Sequence, residues 1–427
     1  MSVYDTLAER GFIEQVTDEA LVRDMLAQHT ITCYIGFDPT ATSLHIGSLV
    51  PIMSLVHMQR EKHRPIALVG GGTALIGDPS GKSEMRRILT RDEIDANAEA
   101  IKRQLARYID FSDEKALLLN NADWLTELNY IEFLRDIGRH FSVNRMLSAE
   151  SYRMRMEAGL NFIEFNYMLL QSYDFYYLNT HYGCTFQMGG NDQWGNIVAG
   201  IDLTRRLEET RVYGITFPLL TTAQGHKMGK TEKGTVWLDA ALTSPYDYFQ
   251  YWINTEDADV ERFLALFTFL PMEEIRVVRT LVDAELNMAK SVLAFEATKI
   301  THDEEAALSA WQASAAAFNL QPVASNLFPS SSIPRRAITG DLSAITTINK
   351  SRQELERGIA AFELFAEVGL CSSRGEARRL ITQGGAYANG TTIGRFDETV
   401  GIEQLDDCGE IRLRKGKKNY VIIKMIE

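Results

Sequence analysis

The run YIGFDPTATSLHIGSLV, residues 34–50, decides how the chain is read. A strand-like apolar segment ends at Gly36, polar residues follow, and His45-Ile46-Gly47-Ser48 opens an apolar helix, HIGSLVPIMSLVHMQREK. Free backbone N–H groups and the helix dipole at such a start suit an anion, and a glycine there lets a nucleotide lie close. An ordinary helix start capped by Ser43 explains this run equally well.

Outward from it the same alternation continues: ITCYIGF before, then the helix, then PIALVGG, then RDEIDANAEAIKRQLARYI. Strands alternating with helices predict an α/β fold with a parallel, doubly wound sheet, its ligands at the carboxyl ends of the strands. From about residue 244 to 318 the pattern turns wholly helical. LQPVASNLFPSSSIPRR follows, with Pro322, Pro329 and Pro334, and reads as a linker. The tail carries a helix, RGEARRLITQGG, then the hairpin signal Asn389-Gly390, then an alternating strand pair around Gly416.

At 427 residues and 45% hydrophobic, the chain can bury large cores in two to four domains. Its acidic start lacks the basic and apolar regions of a signal peptide, and no uncharged run approaches membrane-spanning length, so a cytoplasmic location is expected. Cys33, Cys184, Cys371 and Cys408 are scattered without CxxC spacing, which argues against structural zinc and disulfides. The net charge of −13 excludes wholesale nucleic-acid coating, yet residues 352–427 hold twelve Lys plus Arg against twelve Asp plus Glu, so the excess lies elsewhere. Within this neutral end, RLRKGKK places Arg412, Arg414, Lys415, Lys417 and Lys418 together. The loop ALIGDPSGKSEMR, residues 74–86 after the triplet Gly70 to Gly72, nearly fits a phosphate loop. Asp78 stands where one frame needs lysine, and the frame with Lys82 and Ser83 is one residue short.

Two further runs carry chemistry. GHKMGKTEKG, residues 225–234, sets Lys227, Lys230 and Thr231 on a glycine-flanked segment too polar for a core. YMLLQSYDF spaces Tyr167, Gln171 and Asp174 at i, i+4 and i+7, three polar groups on one face of an apolar helix. A buried face of that kind needs a partner with matching donors and acceptors. His-Ile-Gly-Ser and, about 180 residues on, Lys-Met-Gly-Lys-Thr resemble the HIGH and KMSKS signatures of class I aminoacyl-tRNA synthetases. With GFDPTATSLHIG, ALIGDPSGK, NYMLLQSYDF and GGNDQWGNI the resemblance narrows to the bacterial tyrosyl-tRNA synthetase family and extends over essentially the whole chain.

The resemblance implies a Rossmann-like catalytic domain (1–225), a KMSKS-like loop with a helical anticodon-binding domain (226–320), a linker (321–350) and a C-terminal α+β RNA-binding domain (351–427). It implies L-tyrosine, ATP and tRNA(Tyr) as substrates, a homodimer, Mg2+ only as the companion of ATP, and no tightly bound cofactor or protein metal site. Tyr34 and Asp174 would bond the tyrosine hydroxyl, Asp78, Tyr167 and Gln171 the ammonium, and Gln193 would lie by the carboxyl. Gly36, Asp38, Gly190 and Asp192 would border the aminoacyl and ribose portions, with Thr40 and His45 at the γ-phosphate and Gly47 and Ser48 beside the nucleotide. Catalysis would rest on His45, Lys82, Arg86, Lys227, Lys230 and Thr231, and tRNA binding on Arg374, Arg378, Arg379, Arg412, Arg414, Lys415, Lys417 and Lys418. Ser48 replaces the second histidine of HIGH, Ile35 a frequent cysteine, and Gly229 and Thr231 the serines of KMSKS. None of these removes a charge that the mechanism requires. A tryptophan-specific relative, a kinase or nucleotidyltransferase, and a non-catalytic RNA-binding relative are the competing readings.

Overall fold

The computed structural model describes residues 2–80, 89–149, 152–153, 155–156, 159–223, 225, 228, 230–231, 234–318, 320–335, 345–406, 409–416 and 419–426. Six strands, β1 (Gln15–Val16), β2 (Thr32–Phe37), β3 (Arg64–Val69), β4 (Leu117–Asn120), β5 (Cys184–Gly190) and β6 (Tyr213–Phe217), form one sheet in the order β1-β6-β5-β2-β3-β4. All pairings are parallel except that of the edge strand β1 with β6. β3 is buried at five of its six positions, which is why its sequence is an apolar run rather than an alternation.

From β2 the chain crosses through helix α1 (Leu49–Arg60) to β3 on one side, while β5 flanks β2 on the other, so the strand order reverses between β2 and β5. That is the position where such sheets open a crevice for ligands. Three more helices frame it: α2 (Arg91–Leu105), started by the reciprocal cap of Thr90 and Glu93, α3 (Tyr167–Tyr182), ended by Gly183 at φ 65°, and α4 (Trp194–Glu208).

The helical unit contains α5 (Pro245–Ile253), α6 (Asp283–Thr301) and α7 (Glu304–Phe318). It is not a separate core, for one apolar cluster runs from Val3 to Ile333. Arg10, 8% exposed, fastens the two units by donating to the carbonyls of Ala265, Thr268 and Leu270. The expected linker over 321–350 needs correction. Val323, Leu327, Phe328 and Ile333 are buried in this same core, and Arg335 donates to the carbonyls of Ala324, Leu327 and Phe328. Prolines and serines break helix there, but the apolar residues between them still pack.

The tail forms a second sheet of β7 (Thr347–Ser351), β8 (Ala386–Ala388), β9 (Thr391–Thr392), β10 (Glu410–Lys415) and β11 (Asn419–Ile426), ordered β9-β8-β10-β11-β7. β7 pairs parallel with β11, so the module begins inside the stretch expected to be linker. Asn389 and Gly390, at φ 48° and 82°, make the two-residue hairpin turn between β8 and β9. This sheet and helix α8 (Arg374–Thr382) enclose their own core, from Leu355 to Ile423. Among the described residues no helix is long and apolar enough to cross a membrane.

Candidate active site

A cavity of about 400 Å3 opens at the carboxyl ends of β2 and β5. Its lining includes Tyr34, Asp78, Tyr167, Gln171, Asp174 and Gln193, and also Gly36, Asp38, Thr40, His45, Gly47, Ser48, Gly190 and Asp192. Lys82, Arg86 and Lys227 lie outside the described residues. The backbone of Lys230 and Thr231 forms a short strand paired antiparallel with Gly234–Thr235.

At the inner end, α3 presents Asp174, 2% exposed. Its Oδ2 accepts from Asn121 Nδ2 at 2.9 Å and its Oδ1 from Trp124 Nε1 at 2.8 Å. Burial outweighs these two donors and pushes the carboxyl up to about 7. The Tyr34 hydroxyl is buried with no partner among the described residues, and burial, then the Asp174 charge, raises it well above the usual tyrosine range. Asn121 Nδ2 also reaches Thr73 Oγ1 at 3.1 Å, and Thr73 Oγ1 donates to Asp38 Oδ1 at 2.8 Å. Tyr167 Oη donates to Asp38 Oδ2 at 3.0 Å, so one network joins Asp174 to Asp38. A second network gathers around Asp78, which accepts from Ser80 N and from Gln193 Nε2, each at 2.9 Å. Asn196 Nδ2 completes it by donating to Gln171 Oε1 at 3.0 Å and Gln193 Oε1 at 3.1 Å.

Thr73, Asn121, Trp124 and Asn196 were not among the expected site residues. The pair Asn120-Asn121, two amides at the end of an apolar strand, was the signal available for one of them. The glycine triplet is also explained. Gly71 N donates to Asn120 Oδ1 and Gly72 N to Asn121 Oδ1, so these two N–H groups serve side chains and not an anion. A Cβ on Gly70 would lie 2.0 Å from Asp38 Oδ1, so only glycine lets Asp38 fold over the loop.

At the outer end, His45 Nδ1 accepts from Gly47 N at 3.0 Å, which leaves the neutral ring its proton on Nε2. The reading of Ser43 as the helix cap falls here. Its Oγ donates to Leu44 O and accepts from Asp239 N, while Gln104 of α2 holds Leu44 N. Ile46 N bonds Val236 O at 3.1 Å, Leu238 N bonds Leu44 O at 2.9 Å, and the Trp237 ring meets His45 edge-on at 6.4 Å. The Met228 carbonyl lies 3.9 Å from where a Cβ on Gly47 would be. Residues 236–238, just after the second signature, are thus hydrogen-bonded to the first, and the Met228 carbonyl of the second lies beside Gly47.

Asp174 has a measurable consequence. The phenol of a tyrosine is held best by the ionised carboxylate, a charge-assisted acceptor. If Asp174 receives a tyrosine hydroxyl, as the resemblance implies, kcat/KM for tyrosine should fall as pH drops below about 7, approaching about tenfold per unit. Steady-state exchange kinetics from pH 5.5 to 8.5, with each substrate varied in turn, checks this. A fall shared equally by ATP would refute the assignment to Asp174.

The model of the family described as tRNA synthetases class I (W and Y) matches residues 26–319. The chain is 66% identical over 424 residues to the tyrosine--tRNA ligase of Syntrophus aciditrophicus, covering 99% of both. It is 60% identical to that of Desulfatibacillum aliphaticivorans, over 98% of each. A solved, C-terminally truncated mitochondrial tyrosyl-tRNA synthetase from Aspergillus nidulans is similar at TM-score 0.66 and 30% identity, over 73% of this chain and 92% of that one. The chain belongs to the class I tyrosyl-tRNA synthetases.

In this synthetase the described tail cations differ in their surroundings. Arg374, Arg378 and Arg379 are exposed on α8, with Arg378 stacked over Phe362 at 4.2 Å and Arg374 paired with Glu363 at 3.4 Å. Arg412 is exposed beside Asp406, whereas Arg414 is half-buried over the Tyr387 ring at 3.8 Å and Lys415 pairs with Glu376. Arg412 and Arg414, two apart, share the face of β10 opposite the buried Ile411 and Leu413, so the strand's two-residue period sets only Lys415 apart from them. Lys417 and Lys418 lie outside the described residues.

Proposed function

We propose the following division of labour for the tyrosine--tRNA ligase reaction, which the chain performs as a member of this family. Tyr34 and Asp174 hold the substrate hydroxyl. Asp78, Tyr167 and Gln171 hold its ammonium, and Gln193 steers the carboxylate that attacks the α-phosphorus of ATP, releasing pyrophosphate. The terminal ribose hydroxyl of tRNA(Tyr) then attacks the tyrosyl-adenylate and AMP leaves. Gly36, Asp38, Gly190 and Asp192 border the aminoacyl and ribose portions, and Gly47 and Ser48 the nucleotide. Thr40 and His45 face the γ-phosphate. Lys82, Arg86, Lys227, Lys230 and Thr231 neutralise the leaving pyrophosphate, so rate comes from positioning and charge rather than from a covalent intermediate. Mg2+ enters with ATP, and the family's tRNA substrate makes the cytoplasm the working compartment.

The observation that carries the tyrosine assignment is the buried, unpartnered Tyr34 hydroxyl at the Asp174 end of the cavity. A phenol donates to Asp174 and accepts from Tyr34, satisfying both, whereas an indole N–H only donates and would leave Tyr34 unpaired. Exchange of labelled pyrophosphate into ATP, with tyrosine, phenylalanine and tryptophan added in turn, tests it. Exchange driven by tryptophan and not by tyrosine would overturn it.

The exposed cations of α8 and Arg412 serve as the tRNA contact in the C-terminal module, with the helical unit as the anticodon side. A homodimer is supported by apolar side chains left in the open before α3: Ile131 70%, Phe162 69%, Tyr130 56% and Val143 56% exposed. Sedimentation should show a dimer that Ile131→Asp weakens about a hundredfold or more, since the substitution strands a charge in an apolar interface. A monomeric wild type would refute the assembly.

A further inference from the structure

Helix α3 carries three of the cavity's polar side chains, so its register and tilt set the tyrosine end of the site. Its N-cap, Asn166, accepts from Leu169 N and Leu170 N through its carbonyl but makes no side-chain bond to the helix N–H groups. A side-chain partner comes from outside the helix. Tyr152, 1% exposed, accepts from Met168 N at 3.2 Å and donates to Phe165 O at 2.9 Å, so its hydroxyl joins the preceding turn to the first turn of α3. Met168 directly follows Tyr167, whose own hydroxyl reaches Asp38.

Three residues on from Tyr152 stands one member of a buried ion pair. Arg155 and Glu164, 2% and 3% exposed, meet through Nη2 and Oε2 at 2.9 Å, with a second contact from Nε to Oε1 at 3.3 Å. Arg155 Nη2 also donates to Gly159 O at 3.1 Å, and Glu164 Oε2 accepts from Asn161 N at 3.2 Å. The pair therefore ties the segment bearing Tyr152 to the short helix Phe162–Phe165 that runs into α3. A buried pair costs desolvation and gives little net stability, so its survival here points to geometry rather than to strength.

We infer that Tyr152, braced by the Arg155–Glu164 pair, is a positioning residue for tyrosine: it caps α3 from outside and so aims Tyr167 and Gln171 into the cavity. This rests on the assignment of those two residues to the tyrosine ammonium. Neither Tyr152 nor the pair lines the cavity.

The test is pyrophosphate exchange with the full chain, tyrosine varied at saturating ATP and ATP varied at saturating tyrosine. Tyr152→Phe keeps the ring and removes only the hydroxyl, leaving the Met168 N–H unpaired. It should raise the KM for tyrosine about tenfold while leaving the KM for ATP within about twofold. Glu164→Gln, which keeps the shape and removes the charge, should give the same split. A tyrosine KM within about twofold of wild type for Tyr152→Phe, even with a lower thermal midpoint, makes its role structural only and overturns the inference. Equal increases in both KM values overturn it as well. Failure of the underlying site reading looks different: Gln171→Ala would leave the tyrosine KM of the otherwise wild-type chain unchanged.

Discussion

Asp174→Ala should lower kcat/KM for tyrosine in pyrophosphate exchange by about a thousandfold or more, with little change in the KM for ATP. The magnitude follows from what the carboxylate holds. Its removal leaves Asn121 Nδ2 short of one acceptor, Trp124 Nε1 without one, and the substrate phenol with only Tyr34 to meet it. Asn121 and Trp124 are orphaned in free and bound enzyme alike and so lower stability, while the buried phenol's lost bond to a charged acceptor costs about 2–5 kcal/mol in the transition state, which reaches the stated range. Asp174→Asn keeps the volume, but its amide turns a donor toward Asn121 or Trp124, so it should lose about a hundredfold. Tyr34→Phe deletes one neutral hydrogen bond and should lose about tenfold. The gradation Ala, Asn, then Tyr34→Phe is the signature. Tyrosyl-tRNA synthetases are themselves the reference case for selectivity by an unsatisfied polar pocket, at roughly 10⁵ against phenylalanine, so that figure belongs to the family and not to this reading. If Asp174→Ala still activated tyrosine within about tenfold of wild type, the hydroxyl would have to bind elsewhere.

Removing residues 336–427 should leave pyrophosphate exchange within about twofold of wild type while lowering kcat/KM for tRNA charging by about a hundredfold. The separation is physical. The module has its own core from Leu355 to Ile423, and every described side chain lining the cavity precedes residue 238. Its apolar contact with the rest is small: Ile345 and Ile422 against Tyr246 and Ala313, with Tyr420 edge-on to Phe318 at 5.3 Å. The cut falls after Arg335, because the preceding segment is core. Charging by the truncated enzyme should also depend less steeply on salt, since each lost phosphate contact lowers the slope by about one. Normal charging with an unchanged salt slope would remove tRNA binding from the module.

Much of the fold is legible in the sequence. Alternating apolar strands and amphipathic helices required a parallel sheet, and the i, i+4, i+7 spacing put Tyr167, Gln171 and Asp174 on one face of α3, because a helix repeats every 3.6 residues whatever surrounds it. In the near-miss phosphate loop, Asp78 stands in the lysine's place and lines the cavity. What local periodicity does not contain is who meets whom across elements. Asn121 and Trp124 reach Asp174 from some fifty positions away, Asn120 and Asn121 take the loop N–H groups that a phosphate would use, and Tyr152 caps a helix that begins fifteen residues after it. The same limit explains the supposed linker, whose prolines ruled out helix but not burial, and RLRKGKK, where strand geometry sets Lys415 on the opposite face from Arg412 and Arg414. Side-chain type and spacing, set by sequence alone, determined the sheet, the signatures and the polar face of α3. Only the packed tertiary structure decided which buried donors and acceptors are satisfied within the protein and which, like the Tyr34 hydroxyl, are left for a ligand, because a buried polar group must find its partner in space and not along the chain.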